Sequence, residues 1–252
     1  MSNTPIIRVE NLVNRFGKQV VHDNLSFDIE AGEIIGIVGG SGSGKSVLMR
    51  SIIGLHQPNE GNITVRGKKI TSTGKPPAGV FGVLFQHGAL FSALTVEQNV
   101  MVPLKECSAL KEEECEALSR LKISLVGPPP EAAEKYPSQL SGGMIKRASL
   151  ARAMALDPPI LFLDEPTAGL DPIGANDFDL LIKQLHRSLG VTVIIITHDL
   201  DTLFTLCTRV AVLVDKRIIL DTIPNLMQSD HPWIKSYFHG PRARAAMQDK
   251  EY

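Results

Sequence analysis

One eight-residue segment constrains the fold of this chain more than any other feature. Gly39-Gly-Ser-Gly-Ser-Gly-Lys-Ser46 follows the short apolar run Ile34–Val38 and precedes a helical pattern that begins at Ser46. A buried strand, a glycine-rich turn and a helix form the start of a βαβ unit. The order of these three patterns therefore predicts an α/β core that begins here.

The same segment fits the phosphate-binding pattern G-x-x-x-x-G-K-[ST] at every position. Glycines let backbone N–H groups curve around phosphate oxygens, and the helix that follows adds its positive N-terminal dipole. Lys45 can reach the β and γ phosphates of a nucleotide, and the Ser46 hydroxyl can ligate Mg²⁺. The rival dinucleotide-binding pattern fails because its third glycine would fall on Lys45. The residues expected to surround the phosphates are Gly39, Gly40, Ser41, Gly42, Ser43, Gly44, Lys45 and Ser46.

Two acidic residues follow a second apolar run. Ile160–Leu163 is typical of a buried strand, and Asp164 and Glu165 stand at its carboxyl end. Ligands of open α/β sheets bind at that edge. Asp164 is therefore expected to hold Mg²⁺, directly or through water, and Glu165 is expected to polarise an attacking water.

The remaining patterns predict the rest of the architecture. Residues 6–32 alternate apolar and polar positions, which is typical of short antiparallel strands. Val191–Thr197 is typical of another buried strand, and a helix at about 175–189 precedes it. The stretch from about 88 to 156 carries helical patterns and is expected to be an insert in the α/β core.

The end of the chain carries a different signal. Residues 209–220 are typical of a closing hairpin, and residues 222–252 form a separate tail. In this tail Trp233, Ile234, Tyr237 and Phe238 share one side of a short helix. The stripe is expected either to pack on its own domain or to dock onto a partner subunit. Docking predicts that truncation after Gln228 weakens assembly but preserves nucleotide binding.

Composition narrows the class of protein. Apolar residues make up 43% of the 252 residues and the net charge is −1, which favours a globular fold and gives no case for a nucleic-acid binder. The cysteines, Cys107, Cys115 and Cys207, form neither a disulfide framework nor a metal knuckle, which favours a reducing compartment. Because no secretory signal or apolar run of about 20 residues is apparent, we expect a soluble, cytoplasmic protein; if it works at a membrane, other subunits must span it.

Four weaker signals each leave two interpretations open. Leu140-Ser-Gly-Gly-Met144 precedes a helix and is expected either to bind phosphate or simply to cap that helix. His198 follows a strand and is either structural or a γ-phosphate contact. The Gln86 amide is either a surface group or a ligand of Mg²⁺ or water. Phe16 either packs in the core or stacks on a base.

Taken in order, these motifs resemble those of the ATP-binding-cassette ATPases over about residues 6–221. The resemblance rests on Phe16, GGSGSGKS, Phe85-Gln86, LSGGM, ILFLDEP, Ala168-Gly-Leu-Asp171 and Thr197-His198. It implies an α/β fold with a RecA-like P-loop core, an antiparallel β subdomain and an inserted helical subdomain. It also implies ATP and Mg²⁺ as cofactors and a head-to-tail homodimer.

The resemblance assigns a role to each matching residue. Phe16 is expected to stack on adenine, Glu165 to act as the general base and His198 to contact the γ-phosphate. Gln86 is expected to sense nucleotide where the membrane subunit docks, and Asp171 to communicate across the dimer. In that dimer each phosphate loop faces the Ser141-Gly142-Gly143 segment of the other subunit. The dimer therefore gives this segment a phosphate-binding role that it does not need within a single chain.

Two further features indicate a branch of the family. Met144, in LSGGM followed by Ile-Lys-Arg-Ala, and the tail at 231–246 resemble the ATPases of Mla systems, which maintain lipid asymmetry of the Gram-negative outer membrane. The implied partners are an integral permease, a periplasmic Mce-type lipid-binding protein and a small STAS-domain subunit, at the cytoplasmic face of the inner membrane. Rival interpretations are amino-acid import, lipoprotein release and a soluble cassette that acts on DNA or ribosomes.

Overall fold

The structure is a computed structural model that describes residues 4–70 and 76–240. The chain divides into two compact units. The first unit comprises Met1–Pro76 and Ile194–Tyr252, and the second unit comprises Pro77–Val193.

Strands and helices account for most of the described residues. The strands are β1 (Ile7–Phe16), β2 (Gln19–Ile29), β3 (Ile34–Gly39), β4 (Glu60–Val65), β5 (Lys68–Lys69), β6 (Phe81–Leu84), β7 (Ile160–Asp164), β8 (Thr192–Ile196), β9 (Arg209–Val214) and β10 (Arg217–Asp221). The helices are α1 (Lys45–Ile52), α2 (Val96–Cys107), α3 (Glu112–Leu125), α4 (Gly142–Ala153), α5 (Pro172–Leu189), α6 (Leu200–Leu206), α7 (Ile223–Met227) and α8 (Pro232–His239).

An antiparallel sheet in the first unit confirms the strands predicted at the start of the chain. Its order is β2-β1-β4-β5, and β1 pairs with both β2 and β4. Ile7 and Val9 are buried while the alternating Arg8 and Glu10 are exposed, so the alternation in the sequence matches the two faces of the sheet.

The strand before the phosphate loop lies in a parallel pair. β3 runs parallel to β9, with Gly39 opposite Leu213, and β9 pairs antiparallel with β10 as the predicted hairpin requires. Ile35, Ile37 and Val38 are fully buried. A continuous apolar run is the sequence signature of a strand covered on both faces, which is why this one was recognisable.

In the second unit, β6 runs parallel to β7 with Leu84 opposite Leu163. Helices α2, α3 and α4 lie within the stretch predicted to be helical, and they pack on one another. Helix α2 is capped by Thr95, whose hydroxyl accepts a hydrogen bond from the Gln98 backbone N–H, while the Thr95 backbone N–H donates to the Gln98 side-chain oxygen.

Helix α8 resolves one of the alternatives left open for the tail. Ile234 and Phe238 are fully buried in an apolar cluster of the first unit that also contains Val38 and Leu203. These two residues of the predicted stripe therefore pack on their own unit. Arg242 and Arg244 of the predicted tail lie outside the described residues.

Among residues 4–70 and 76–240, no helix is both long and apolar enough to cross a membrane.

Candidate nucleotide-binding and hydrolysis site

The phosphate loop of the first unit has a backbone that only glycine fits at two points. Gly44 has a φ of 97°, and a Cβ there would lie 2.4 Å from His22 Nε2. A Cβ at Gly39 would lie 2.6 Å from the Leu213 carbonyl oxygen, because β3 pairs with β9 at this point. Neighbouring strands thus shape the loop at both ends.

The charged groups of the loop are placed as an anion site requires. Helix α1 begins at Lys45, so its N-terminus adjoins the loop. The Lys45 ammonium donates hydrogen bonds to the carbonyl oxygens of Gly39 (2.8 Å) and Gly40 (3.2 Å). Ser41, Gly42 and Ser46 are exposed, and the Ser43 hydroxyl is buried without a hydrogen-bond partner in the described part of the chain.

The Phe16 side chain is not a core residue, because 49% of it is exposed. Its ring stacks on the His56 imidazole, with 5.2 Å between the ring centroids and 24° between the planes. Phe16 therefore presents an aromatic surface at the end of β1, as base stacking requires. His56 was not predicted.

The first unit also holds His198, which is exposed two residues beyond β8. Trp233 of α8 borders the phosphate loop, since a Cβ on Gly40 would lie 3.6 Å from the indole Nε1. The tail helix is therefore part of the surroundings of this loop.

In the second unit the predicted acidic pair lies at the end of β7. Asp164 is the last residue of the strand, and both Asp164 and Glu165 are half-buried. Glu165 has a left-handed backbone with φ of 48°, which is strained for a residue with a side chain. Strain of this kind is concentrated at functional sites, and no pattern in the residues around Glu165 indicated it.

Lys146 connects the acidic pair with the Gln86 loop, and sequence reasoning missed it. Its ammonium donates hydrogen bonds to the carbonyl oxygens of Gln86 (2.6 Å) and Glu165 (2.8 Å). The Gln86 side chain is exposed, whereas Lys146 retains only 5% exposure. One signal was available: Lys146 lies four and eight residues before Leu150 and Met154, on the buried face of α4.

Burial and nearby carboxylates act in opposite directions on this lysine. Burial lowers the pKa of Lys146, and the charges of Asp164 and Glu165 oppose part of that shift. The lysine thus brings a positive charge close to the acidic pair while its N–H groups fix two backbone segments.

The signature segment, Leu140-Ser-Gly-Gly-Met144, forms a capped helix start. The Ser141 hydroxyl accepts a hydrogen bond from the Met144 backbone (3.3 Å), and α4 begins at Gly142. Asp171 caps α5 in the same way through the Gly174 N–H (2.9 Å). Ser141, Gly142 and Gly143 are exposed or half-buried, so capping leaves this surface accessible. Their roles toward phosphate, and the role of Asp171 across a dimer, stay predictions.

Comparisons with known proteins identify the family. The ABC transporter family model matches residues 22–168. Over 241 residues the chain is 36% identical to the probable ribonucleotide transport ATP-binding protein mkl of Mycobacterium leprae (strain TN), covering 94% of this chain and 69% of that protein. It is 38% identical over 216 residues to the methionine import ATP-binding protein MetN of Brucella abortus (strain 2308), covering 84% of this chain and 58% of that protein.

Solved structures agree with this result. The cbiO1 protein of Clostridium perfringens, part of the ABC transporter complex cbiONQ, matches with a TM-score of 0.79 and 29% identity, covering 97% of this chain and 99% of that one. A dimeric ATP-binding cassette in a post-hydrolysis state with bound ADP and Pi matches with a TM-score of 0.78 and 28% identity, covering 86% and 98%. The predicted α/β cassette fold with an antiparallel β subdomain and a helical subdomain is confirmed.

The chain therefore belongs to the ABC transporter family and is an ATP-hydrolysing subunit of an ABC transporter.

Proposed function

We propose that this ATPase powers the movement of phospholipids between the inner and outer membranes of a Gram-negative bacterium. The observation that carries the proposal is the sequence of the signature helix, LSGGM followed by Ile-Lys-Arg-Ala, which resembles the ATPases of Mla systems. The tail at 231–246 supports it in the same way. The ATPase acts at the cytoplasmic face of the inner membrane, and a permease provides the path for the lipid.

In the proposed reaction each motif has one task. Phe16 stacks on adenine, the loop from Gly39 to Ser46 binds the phosphates, and Lys45 contacts the β and γ phosphates. Glu165 accepts a proton from the attacking water, and His198 contacts the γ-phosphate. The strained backbone of Glu165 and the hydrogen bond from Lys146 to its carbonyl oxygen support this role, since both restrict the backbone that carries the carboxylate.

The donor set of the chain fits Mg²⁺ rather than a metal held by protein alone. Within the described ranges no group of three or more His, Cys, Asp or Glu side chains is placed to hold a metal ion. Mg²⁺ commonly needs only one or two protein ligands, because phosphates and water complete its octahedron. Ser46, Asp164 and Gln86 supply oxygen ligands of the right chemistry. When bound, the ion neutralises charge on the β and γ phosphates.

The proposed assembly contains two copies of this chain. Each phosphate loop faces the Ser141-Gly142-Gly143 segment of the other copy, so two ATP molecules are bound between them. The dimeric state of the ATP-binding cassette solved with ADP and Pi supports this arrangement. The further partners are the permease, a periplasmic Mce-type protein and a small STAS-domain subunit, with no nucleic acid among them.

A second candidate is the import of a small solute. The relatives named above favour it, since one is described as a ribonucleotide transport protein and the other as a methionine import protein. Both candidates share the same ATPase and differ in the permease and in the protein that delivers the substrate. The experiment must therefore identify those partners.

The test is to purify the complete transporter from its own cells in mild detergent through a tag on this chain, with untagged cells as the control. Mass spectrometry then identifies the proteins and lipids. Recovery of a permease, an Mce-type protein and phospholipid supports the proposal. Recovery of a permease with a solute-binding protein and no Mce-type protein overturns the lipid substrate and favours the second candidate. The purified complex also allows a direct assay, in which phospholipid transfer between vesicles should require ATP.

A further inference from the structure

A buried polar network in the first unit connects the Phe16 ring with the phosphate loop. Asn14 on β1 and His22 on β2 are fully buried, and Ser51 on α1 is 1% exposed. Such groups are costly to bury unless they are hydrogen-bonded, so a network at this position calls for an explanation. None of the roles assigned above uses these residues.

The directions of the hydrogen bonds follow from the chemistry of the groups. The Ser51 hydroxyl donates to the Val47 carbonyl oxygen (2.9 Å), so Ser51 Oγ must accept from Asn14 Nδ2 (3.1 Å). The amide nitrogen of Asn14 also lies 2.9 Å from His22 Nδ1. Because an amide NH₂ only donates, Nδ1 is the acceptor and the ring proton of neutral His22 is on Nε2.

The other side of Asn14 leads to the aromatic surface. Asn14 Oδ1 lies 3.1 Å from His56 Nε2 and accepts its N–H, since the amide is already oriented by Ser51. His56 is the ring on which Phe16 stacks. Asn14 is thus bonded to three side chains and has little freedom to reorient.

The proton on His22 points at the phosphate loop. Nε2 lies against Gly44, where even a Cβ would approach it to 2.4 Å, and it has no hydrogen-bond partner of normal geometry among the described residues. Burial lowers the pKa of His22 to about 4, and the adjacent Gly44 backbone opposes only part of that shift. His22 is therefore a neutral ring at ordinary pH, and the hydrogen bonds of Asn14 assign its tautomer.

We propose that His22 is a positioning residue for ATP binding: its imidazole holds the left-handed turn at Gly44, and Asn14 fixes the orientation and tautomer of that imidazole. The inference rests on the proposed role of the phosphate loop. Its consequence is a loop that is already shaped for phosphates before nucleotide arrives, which lowers the cost of binding.

Two substitutions at position 22 separate this role from a merely structural one. In His22→Asn the amide occupies the place of Nδ1 and keeps a partner for Asn14, but nothing reaches Gly44. In His22→Gln the amide reaches the place of Nε2 beside Gly44. We expect His22→Asn to raise the Kd of the purified full-length chain for ATP about tenfold, and His22→Gln to stay within about threefold of the unchanged chain.

Three controls make each outcome decisive. Ile29→Val lowers stability at a buried site of β2 outside the network, and gives the change in Kd that lost stability alone produces. Lys45→Ala tests the loop itself: normal ATP binding by this variant would overturn the proposed role of the loop. In the complete transporter, kcat at saturating ATP should change less than twofold in both His22 variants. If the Kd for ATP rises equally in both variants or in neither, or tracks melting temperature as in Ile29→Val, His22 has no positioning role.

Nitrogen-15 NMR of the imidazole gives a readout that does not depend on ATP. The unchanged chain should show His22 protonated on Nε2. In Asn14→Asp the carboxylate can only accept, so the proton should move to Nδ1 and the Kd for ATP should rise as in His22→Asn. A proton on Nδ1 in the unchanged chain, or an unaltered Kd in Asn14→Asp, would overturn the proposal.

Discussion

Each unit of the molecule buries a basic side chain against the backbone of a motif, and burial lowers the pKa of both, but carboxylates oppose that shift only in the second unit. In the first unit, His22 is fully buried without a carboxylate partner, and its pKa falls to about 4. In the second unit, Lys146 is almost as buried but bonds to two carbonyl oxygens, and two carboxylates oppose the loss of its charge. Burial therefore does not set the pKa of a basic group alone, because neighbouring charges oppose part of the shift.

The two basic residues are therefore expected to affect different steps of ATP hydrolysis. A neutral ring at Gly44 shapes a loop that binds phosphate, so its changes should appear in the affinity for ATP. A cation beside Glu165 fixes the residue proposed to activate water, so its changes should appear in turnover. The substitutions below test that separation.

The largest effect is expected at the proposed base. Glu165→Gln keeps the shape of the side chain but cannot accept a proton, so kcat of the assembled transporter should fall on the order of 10²- to 10⁴-fold. The affinity for ATP should remain, because the phosphate loop is unchanged. Steady-state hydrolysis and equilibrium ATP binding measure the two quantities. Glu113→Gln, an exposed carboxylate of α3, is the matched control, and near-normal turnover of Glu165→Gln would remove Glu165 from this role.

The next effect, on the free energy of unfolding, is expected in the apolar core that contains Phe238. Phe238 is fully buried and packs edge-to-face on Phe204, with 6.4 Å between ring centroids. Phe238→Ala should lower the free energy of unfolding by about 3–5 kcal/mol, measured by denaturant titration. Lys235→Ala, on the exposed side of the same helix, should change it by less than about 0.5 kcal/mol.

The burial of α8 also affects how a deletion of the tail should be interpreted. Truncation after Gln228 removes Ile234 and Phe238, so it should destabilise the first unit in addition to any effect on assembly. Equal stabilities of Phe238→Ala and the unchanged chain would mean that α8 does not contribute to this core. Assembly is better tested with substitutions that leave Ile234 and Phe238 in place.

The features that could be predicted from the sequence share a physical property: each depends on residues that are close together in the chain. The phosphate loop, the acidic pair after β7 and the alternation in β1 depend on local backbone rules, so the pattern was sufficient. Even the stripe of α8 was visible, although periodicity alone could not say against which surface it packs. Helix propensity and amphipathicity contain no information about the partner face.

The features that were missed depend on contacts between distant segments. His22 and Gly44 are separated by 22 positions in the chain, and Lys146 and Gln86 by 60. Both basic residues resemble ordinary surface groups until the fold buries them. The left-handed backbone of Glu165 was equally hidden, because a non-glycine residue with positive φ is not signalled by its type.

The next effect tests by pH whether His22 is neutral in the folded chain. The unfolded chain binds a proton at His22 below its ordinary pKa of 6.5, whereas the folded chain does so only near pH 4. Stability from this depressed pKa is complete above about pH 6.5 and is lost as pH falls toward 4, by about 3 kcal/mol. Unfolding free energies between pH 7.5 and about pH 4.5 measure it.

The variant His22→Gln isolates this contribution, since it cannot titrate. The unchanged chain should lose more stability than His22→Gln over the same range of pH, while His56, whose charge disfavours protonation of His22, is present in both. Identical slopes of stability against pH would contradict a neutral, buried His22.

The smallest effect, and the sharpest for the comparison, is expected at Lys146. Lys146→Met preserves the apolar stem but leaves the carbonyl oxygens of Gln86 and Glu165 without their donor, a loss worth roughly 1–3 kcal/mol if it falls on the transition state. We therefore expect kcat to fall about tenfold with little change in the Kd for ATP. Lys146→Arg keeps both the charge and the donors, so it should recover most of the turnover. A fall in ATP affinity with normal kcat would contradict this role. Lys146 would then act on ATP binding, as proposed for His22, and not on the residue that activates water.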